Sequence, residues 1–285
     1  MRISFATSRT GRTADSDLRL LLSAAAAHGH AASIDVWDDP AVDWAAFDVV
    51  VVRSCWDYAA RREEFLTWAR SVPTLRNPAD VLTWNTDKAY LRTLAEHGVP
   101  TIETRWNVRT GDDLGDATEW VVKPSVSAGS RDTARWSDPA DVYAHSEQLQ
   151  AAGRTAMVQP YVSSIDHDGE TALLFIGGHF SHAIRKGPLL HPDEGVRQDR
   201  DNREDITPRA PTASQHEMAA TVLDVARTEL GTPLLYARVD IVAGPDGDPL
   251  LIELELTEPS LFLAHGEDAA DRLIAALEEP QRWDM

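Results

Sequence analysis

The chain has a single cysteine, Cys55, in 285 residues. That excludes internal disulfides and any multi-cysteine zinc site. Lysine is nearly as scarce: Lys88, Lys123 and Lys186 are all there is, so 24 of the 27 basic residues are arginine. A general preference for arginine does not explain three retained lysines. A compact, flexible ammonium suits places where a planar guanidinium does not fit. Positive charge is short overall, with a formal net charge of −19. Such a surface repels nucleic acid and acidic membranes, so neither is expected as a partner. No apolar run approaches the ~18 residues that mark a membrane span, and the opening "MRISFATSRTGR" lacks the apolar core of a signal peptide. A cytoplasmic protein is expected.

What is present is a hydrophobic fraction of 43% with nine tryptophans, ample for a core. Up to about residue 80, strand and helix alternate as in an open α/β unit. "RISFAT", "ASIDVW" and "FDVVVVR" are strands, the last apolar enough to be central in a parallel sheet. Residues 15–29 form a helix ending at Gly29, and "RREEFLTWARSV" is amphipathic. A helix over 86–98 is expected to start at a Thr86 cap. Beyond it the pattern is α+β: strands "PTIETRW", "EWVVKP" and "TAMVQPYV", a helix over 138–152, and a hairpin over 170–186 turning at Gly177-Gly178. A long polar loop over 188–213, a helix over 214–230, a hairpin over 233–256 and a helix over 266–278 follow. The expected divisions are 1–85, 86–162 and 163–285.

The last hairpin carries the strongest pattern. In "LLIELELTEPS" Glu253 and Glu255 alternate with Ile252, Leu254 and Leu256, which puts both carboxylates on one strand face. The preceding strand "LLYARVDIV" puts Arg238 and Asp240 on one face. With Asp246-Gly247 as a two-residue tip, Asp240 faces Glu253 and Arg238 faces Glu255. Like charges facing one another destabilise a sheet. Either Arg238 neutralises a solvated face, or a cation sits there. All-oxygen ligation without histidine or cysteine favours Mg²⁺ or Mn²⁺. Glu258 falls outside the alternation, beside Pro259, and receives no ligand role.

The lysines favour the second reading. Lys123 ends a strand and leads into "SVSAGS", where backbone N–H groups and hydroxyls suit phosphates. In the first turn of its expected helix, Lys88 opposes the macrodipole unless an anion lies near. In "MVQPYVSSIDHDGE" the backbone of Gln159, Pro160, Tyr161 and Val162 suits an adenine edge, with Asp166 placed for ribose hydroxyls.

This order of lysine, strand-end lysine with small-residue loop, hinge, "RVD" and "ExE" resembles the ATP-grasp superfamily. It is most similar to the D-alanine–D-alanine ligases and glutathione synthetases. Their C-terminal signature is R-V-D, then E-x-N thirteen residues after the Asp, the spacing of Asp240 and Glu253 here. The resemblance covers roughly residues 70–265 and implies an ATP-grasp fold behind an N-terminal open α/β domain. Division 1–85 would then bind substrate, 86–162 form the central lid and 163–285 carry the metal site. The implied cofactors are ATP and Mg²⁺, with Mn²⁺ as the alternative. Lys88, Lys123 and the loop 125–130, including Ser127 and Gly129, would hold phosphates. Asp240, Glu253 and Glu255 would hold the metal, and Arg238 the transferring phosphoryl group. Glu255 departs from the usual Asn.

The implied activity is carbon–nitrogen ligation through an acyl phosphate, with no side-chain nucleophile. The expected substrate is small and amino-acid-like. Arg53 and Asp57 are candidates for its carboxylate and ammonium, Trp56 and Tyr58 for the pocket walls, and Arg185 and Lys186 for a further substrate or phosphate contact. The overall pattern is similar to actinobacterial biosynthetic enzymes, including the ring-closing D-cycloserine synthetase branch. Intermolecular joining of a carboxylate to an amine is the alternative, and a non-catalytic nucleotide sensor the rival from another class. Homodimers are common among similar enzymes.

Overall fold

The computed structural model describes residues 1–192, 194–198 and 205–279. Three sheets follow one another along the chain. The first contains β1 (Arg2–Thr7), β2 (Ala31–Val36), β3 (Val49–Val52) and β4 (Leu75–Arg76), in the order β2-β1-β3-β4 and parallel throughout. The all-valine β3 is internal, and all four of its residues are buried. The second sheet contains β5 (Arg105–Trp106), β6 (Trp120–Pro124), β7 (Ala134–Trp136) and β8 (Ala156–Pro160), in antiparallel order β5-β8-β6-β7. The third contains β9 (Glu170–Ile176), β10 (His179–Lys186), β11 (Ile206–Pro208), β12 (Tyr236–Ala243) and β13 (Pro249–Glu255), in antiparallel order β11-β10-β9-β12-β13.

The first and third sheets share their cores. One joins Ile3, Phe5, Leu18 and Leu21 to Leu174, Leu261, Leu273 and Ile274, so the helix Ala269–Glu278 closes back onto the helix Asp17–Ala27. The other joins Val50, Phe65 and Leu82 to Leu173, Val239 and Leu254. The middle sheet has a core of its own: Val108, Leu114, Trp120, Val122, Val142, Leu149, Ala156 and Val158. Its helix Pro139–Ala151 starts where the Asp138 carboxylate accepts from the Ala140 N–H, with Pro139 in the first turn.

The outer edge of β13 carries one backbone bridge, where the Leu251 N–H donates to the Pro100 carbonyl, and is otherwise closed by side chains. Asn85 donates to the Leu254 carbonyl (2.7 Å) and accepts from the Leu256 N–H (2.7 Å). Tyr90 Oη accepts from the Leu254 N–H, and Asn77 donates to Leu256. Buried backbone groups need partners, and these three residues supply them while fastening the acidic strand to what precedes it.

Two sequence expectations change. The helix placed over 86–98 is shorter, Tyr90–Glu96, and Thr86 instead ends the preceding helix Ala79–Asn85. Lys88 lies in the connection between them, where its N–H donates to the Ser125 carbonyl, and not in the first turn of a helix. The second hairpin does not turn on two residues. Its ladder pairs Ala243 with Pro249, and Gly244 N–H donates to the Asp248 carbonyl. A bulge then shifts the register by one, leaving Asp240 opposite Glu253 and Arg238 opposite Glu255. The loop over 188–213 contains β11, and its residues 193 and 199–204 lie outside the described residues.

Candidate active site

The three carboxylates converge as the alternation requires. One oxygen from each of Asp240, Glu253 and Glu255 lies within 4.8 Å of the others. Asp240 is fully buried at the floor, and Glu253 and Glu255 line the cleft above it. Among the described residues this is the one such grouping with the ligand chemistry of a hard divalent ion.

Cations surround them. Lys186 bridges Asp240 (2.7 Å) and Glu170 (2.6 Å). Arg238 Nε donates to Asp240 (2.9 Å), and its Nη2 donates to Asp240 and Glu255. Lys88 is 3.1 Å from Glu253 and donates to the Ser127 carbonyl (3.0 Å). Burial raises the Asp240 and Glu253 carboxyls. For Asp240, Arg238 and Lys186 outweigh it, and for Glu253, Lys88 and Lys123 do, so both end below the ordinary range. Glu255 goes the other way. Burial, with Glu253 and Asp240 beside it, outweighs Arg238 and pushes it up to about 7.

Lys123 differs from the other two lysines. It is 9% exposed, and among the described residues no carboxylate lies within ion-pair distance of it. Burial, with Lys88 nearby, lowers its ammonium to about 8. A buried cation without a counter-ion is costly, and its place at the end of β6 beside Ser127, Ala128, Gly129 and Ser130 suits an anionic ligand. The loop is shaped: Gly129 has φ of 62° and Ser130 of 57°. Arg154 holds it by donating to the Val126 carbonyl and pairing with Asp132. Gly187, Leu189 and Leu190 line the same cleft.

The hinge residues Gln159, Pro160, Tyr161 and Val162 line the same cleft. Ile252, displaced by the bulge in β13, packs with Val162, Ile102 and Ile165 to form an apolar wall. Asp166 does not reach the lining. It pairs with Arg135 (2.9 Å) and accepts from Tyr161 Oη (2.6 Å), which occupies it away from any ribose.

The substrate candidates divide. Trp56 and Tyr58 line the cleft. Arg53 does not: it is fully buried, 3.7 Å from Asp17, and donates to the Pro259 carbonyl. Asp57 accepts from Trp37 Nε1 and opens on a neighbouring cleft beside Arg61 and Arg62. Arg185 donates to the Asp168 carbonyl and pairs with Asp205. A long side chain after a strand can turn inward as easily as out, and Arg53 turns inward. Two lining carboxylates were missed, Glu170 and Glu258. Glu170 had a signal, since the hairpin sets it opposite Lys186.

A parallel-sheet unit, a small antiparallel sheet delivering a lysine and a phosphate-type loop, and an acid-faced antiparallel sheet define an ATP-grasp enzyme, a carbon–nitrogen ligase. The comparisons agree. Residues 3–79 match the family model of the D-cycloserine synthetase DcsG N-terminal domain. The chain is 40% identical to the cycloserine biosynthesis protein DcsG of Streptomyces lavendulae, over 93% of this chain and 94% of that protein. The crystal structure of D-cycloserine synthetase DcsG superposes with a TM-score of 0.90 at 36% identity, covering 99% of this chain and 100% of that one. The D-alanine–D-alanine ligase from Bacillus anthracis complexed with ATP shares the fold, with a TM-score of 0.64 at 16% identity over 99% and 97% of the two chains. The chain belongs to the D-cycloserine synthetase family. Among the described residues no helix is long and apolar enough to cross a membrane.

Proposed function

We propose that this ligase closes the ring of D-cycloserine, using ATP to activate the carboxylate of an O-substituted D-serine. In D-cycloserine the carboxyl carbon of a serine skeleton is bonded to a nitrogen carried on its side-chain oxygen. A substrate carboxylate oxygen attacks the γ-phosphorus of ATP, the bond to the β-bridging oxygen breaks, and ADP leaves. The substrate's own nitrogen then attacks the acyl carbon and loses a proton to solvent, and the acyl C–O bond breaks to release phosphate. Such chemistry needs positioning and charge neutralisation more than a protein nucleophile. Cys55 fits that view: it is buried, donates to the Ala6 carbonyl, and burial raises its thiol.

Lys88, Lys123 and the loop 125–130 hold the phosphates, and Gln159 to Val162 the adenine. Asp240, Glu253 and Glu255 fit Mg²⁺, which supplies charge neutralisation at the phosphates when bound; nothing in the donor set calls for Mn²⁺. Arg238 and Lys186 face the transferring phosphoryl group. Division 1–85 supplies the substrate wall through Trp56 and Tyr58, 86–162 acts as the lid, and 163–285 carries the acids. Dependence on ATP fits a cytoplasmic location.

The observation that carries this reading is the meeting of all three lysines with the three-carboxylate platform in one cleft. Phosphate release from ATP and Mg²⁺ with a panel of O-substituted D-serines tests it, with mass spectrometry of the product. A cyclic product supports ring closure. A linear condensate with an added amine would establish intermolecular ligation instead.

A further inference from the structure

The segment that follows the acidic strand has its backbone pinned by buried side chains. His182 Nε2 donates to the carbonyls of Leu261 (3.0 Å) and Phe262 (3.2 Å). Its Nδ1 accepts from Ser181 Oγ (2.8 Å), which in turn accepts from Arg272 (2.8 Å). Gly266 leaves room for the imidazole, since a Cβ there would lie 2.5 Å from His182 Nδ1. Asp17 accepts from the N–H groups of Leu261 and Leu263 (3.0 Å each). These contacts fix Phe262 at φ of 49° and ψ of 42°, in the left-handed region. For a bulky side chain that is a genuine outlier. The other non-glycine residues with positive φ among the described residues are Asn107, Ser130, Asp132 and Asp268, all short and polar. A glycine would take this backbone without strain, so the reason for a phenylalanine lies in what its ring touches.

The ring packs partly against the core shared by the first and third sheets, and it lines the cleft. The Arg238 guanidinium lies over it, 5.8 Å from the ring centroid, within the ~6 Å reach of a cation–π contact. Arg238 Nη1 also donates to the Ser260 carbonyl (3.3 Å) of the same segment. The remaining Arg238 contacts described above go to Asp240 and Glu255. Those are two of the three carboxylates that fit Mg²⁺, and a metal draws on the same oxygens as the guanidinium. The Ser260 carbonyl and the Phe262 ring stand outside that donor set. They are the contacts of Arg238 that a metal leaves alone. A group that acts on charge in transit must be held to a fraction of an ångström by residues that are themselves locked, and Asp17 and His182 lock these.

We propose that Phe262 is a positioning residue for Arg238: its ring, with the Ser260 carbonyl, aims the guanidinium at the transferring phosphoryl group once Mg²⁺ draws on Asp240 and Glu255, and Asp17 and His182 hold the ring there. This rests on the reading above that Arg238 faces that group. The consequence is a residue that acts on phosphoryl transfer and leaves nucleotide binding untouched.

Calorimetry with the full chain, Mg²⁺ and ADP, with and without aluminium fluoride, reads this without turnover, because the fluoride complex mimics a phosphoryl group in transfer. The wild type is expected to bind ADP more tightly when aluminium fluoride is present. Phe262→Leu keeps apolar bulk and loses the ring. It should bind ADP alone as the wild type does and lose about 10- to 100-fold of its affinity for the mimic, the range of a misplaced catalytic group. Its kcat should fall by a similar factor with KM for ATP unchanged. Phe262→Tyr keeps the ring and should restore both. If Phe262→Leu loses ADP through misfolding, Phe262→Gly decides, since glycine takes the left-handed backbone without strain. Undiminished affinity for the mimic in the deciding variant overturns the inference. Equal losses for ADP and the mimic there, or a Phe262→Tyr variant as impaired as Phe262→Leu, overturn it too. A wild type that gains nothing from aluminium fluoride overturns the reading of Arg238, and this inference with it.

Discussion

The third and middle sheets reach the same cleft by opposite means. The third sheet shares its core with the first, and its charges are matched: Asp240 with Lys186 and Arg238, Glu255 with Arg238. The middle sheet packs around its own small core and brings in Lys123, which among the described residues has no carboxylate at ion-pair distance. One side of the site is therefore complete in itself, and the other is finished by what binds. A platform benefits from being over-determined, and the middle unit, in the lid role proposed for it, benefits from independence.

The sharpest attack on the platform is Glu253→Gln. Turnover should fall by about 10³-fold or more, while circular dichroism shows the fold retained; the thermal midpoint drops, because buried Lys88 loses its counter-charge. Full activity in this variant would remove Glu253 from the metal site. Next in size is Lys186→Met. It leaves Glu170 and Asp240 short of a buried counter-charge, and urea unfolding should show a loss of about 3 kcal/mol. Lys123→Met breaks the symmetry between lysines. It removes a cation that burial opposes, so stability should hold or rise, while ATP affinity drops by about 10- to 100-fold in titration calorimetry. Leu149→Ala tests the separateness of the cores. A loss of about 2–4 kcal/mol should appear in scanning calorimetry as an earlier transition of the middle unit, not as a shift of the whole melt.

The smallest effect is a matter of pH. The free-enzyme Lys123 ammonium lies at about 8, and a bound phosphate raises it again. Nucleotide binding therefore takes up protons near pH 8, and affinity should fall about tenfold between pH 7 and 9. The sign for stability is opposite. A depressed lysine burdens the empty fold in full below pH 8, and the burden lifts progressively between that value and the ordinary lysine value of 10.5. Calorimetry in buffers of different ionisation enthalpy separates the two.

Much of this was legible because it rests on period and spacing. Alternation in "RVD" and "ELE" fixed which side chains share a face, and the Asp240–Glu253 pair appears in the ladder as expected. The reason assigned to that register was nonetheless wrong. A longer turn and a bulge at Ile252 offset each other, and nothing in the alternation marks a bulge. Lys88 lines the cleft with the other lysines, but from an element other than the expected helix start. A break between two helices, rather than a helix start, lets it turn toward Glu253. The failures at Arg53, Asp57, Asp166 and Arg185 share a cause. Each is a polar residue near the cleft in sequence whose partner lies far along the chain or in a neighbouring loop. Pairing of that kind depends on tertiary approach, which local pattern does not carry. Glu258 was passed over because it sits beyond the strand, where periodicity ends.

The scarcity of lysine acquires a practical meaning once all three line one cleft. Apart from the terminal α-amine, every primary amine in this sequence lines that cleft. Lys88 stays charged, since Glu253 outweighs the burial that opposes it, whereas Lys123 is about half neutral near pH 8. An ordinary amine-directed acylating reagent thus becomes an active-site label, with Lys123 the more nucleophilic of these two targets and bound nucleotide its natural protectant.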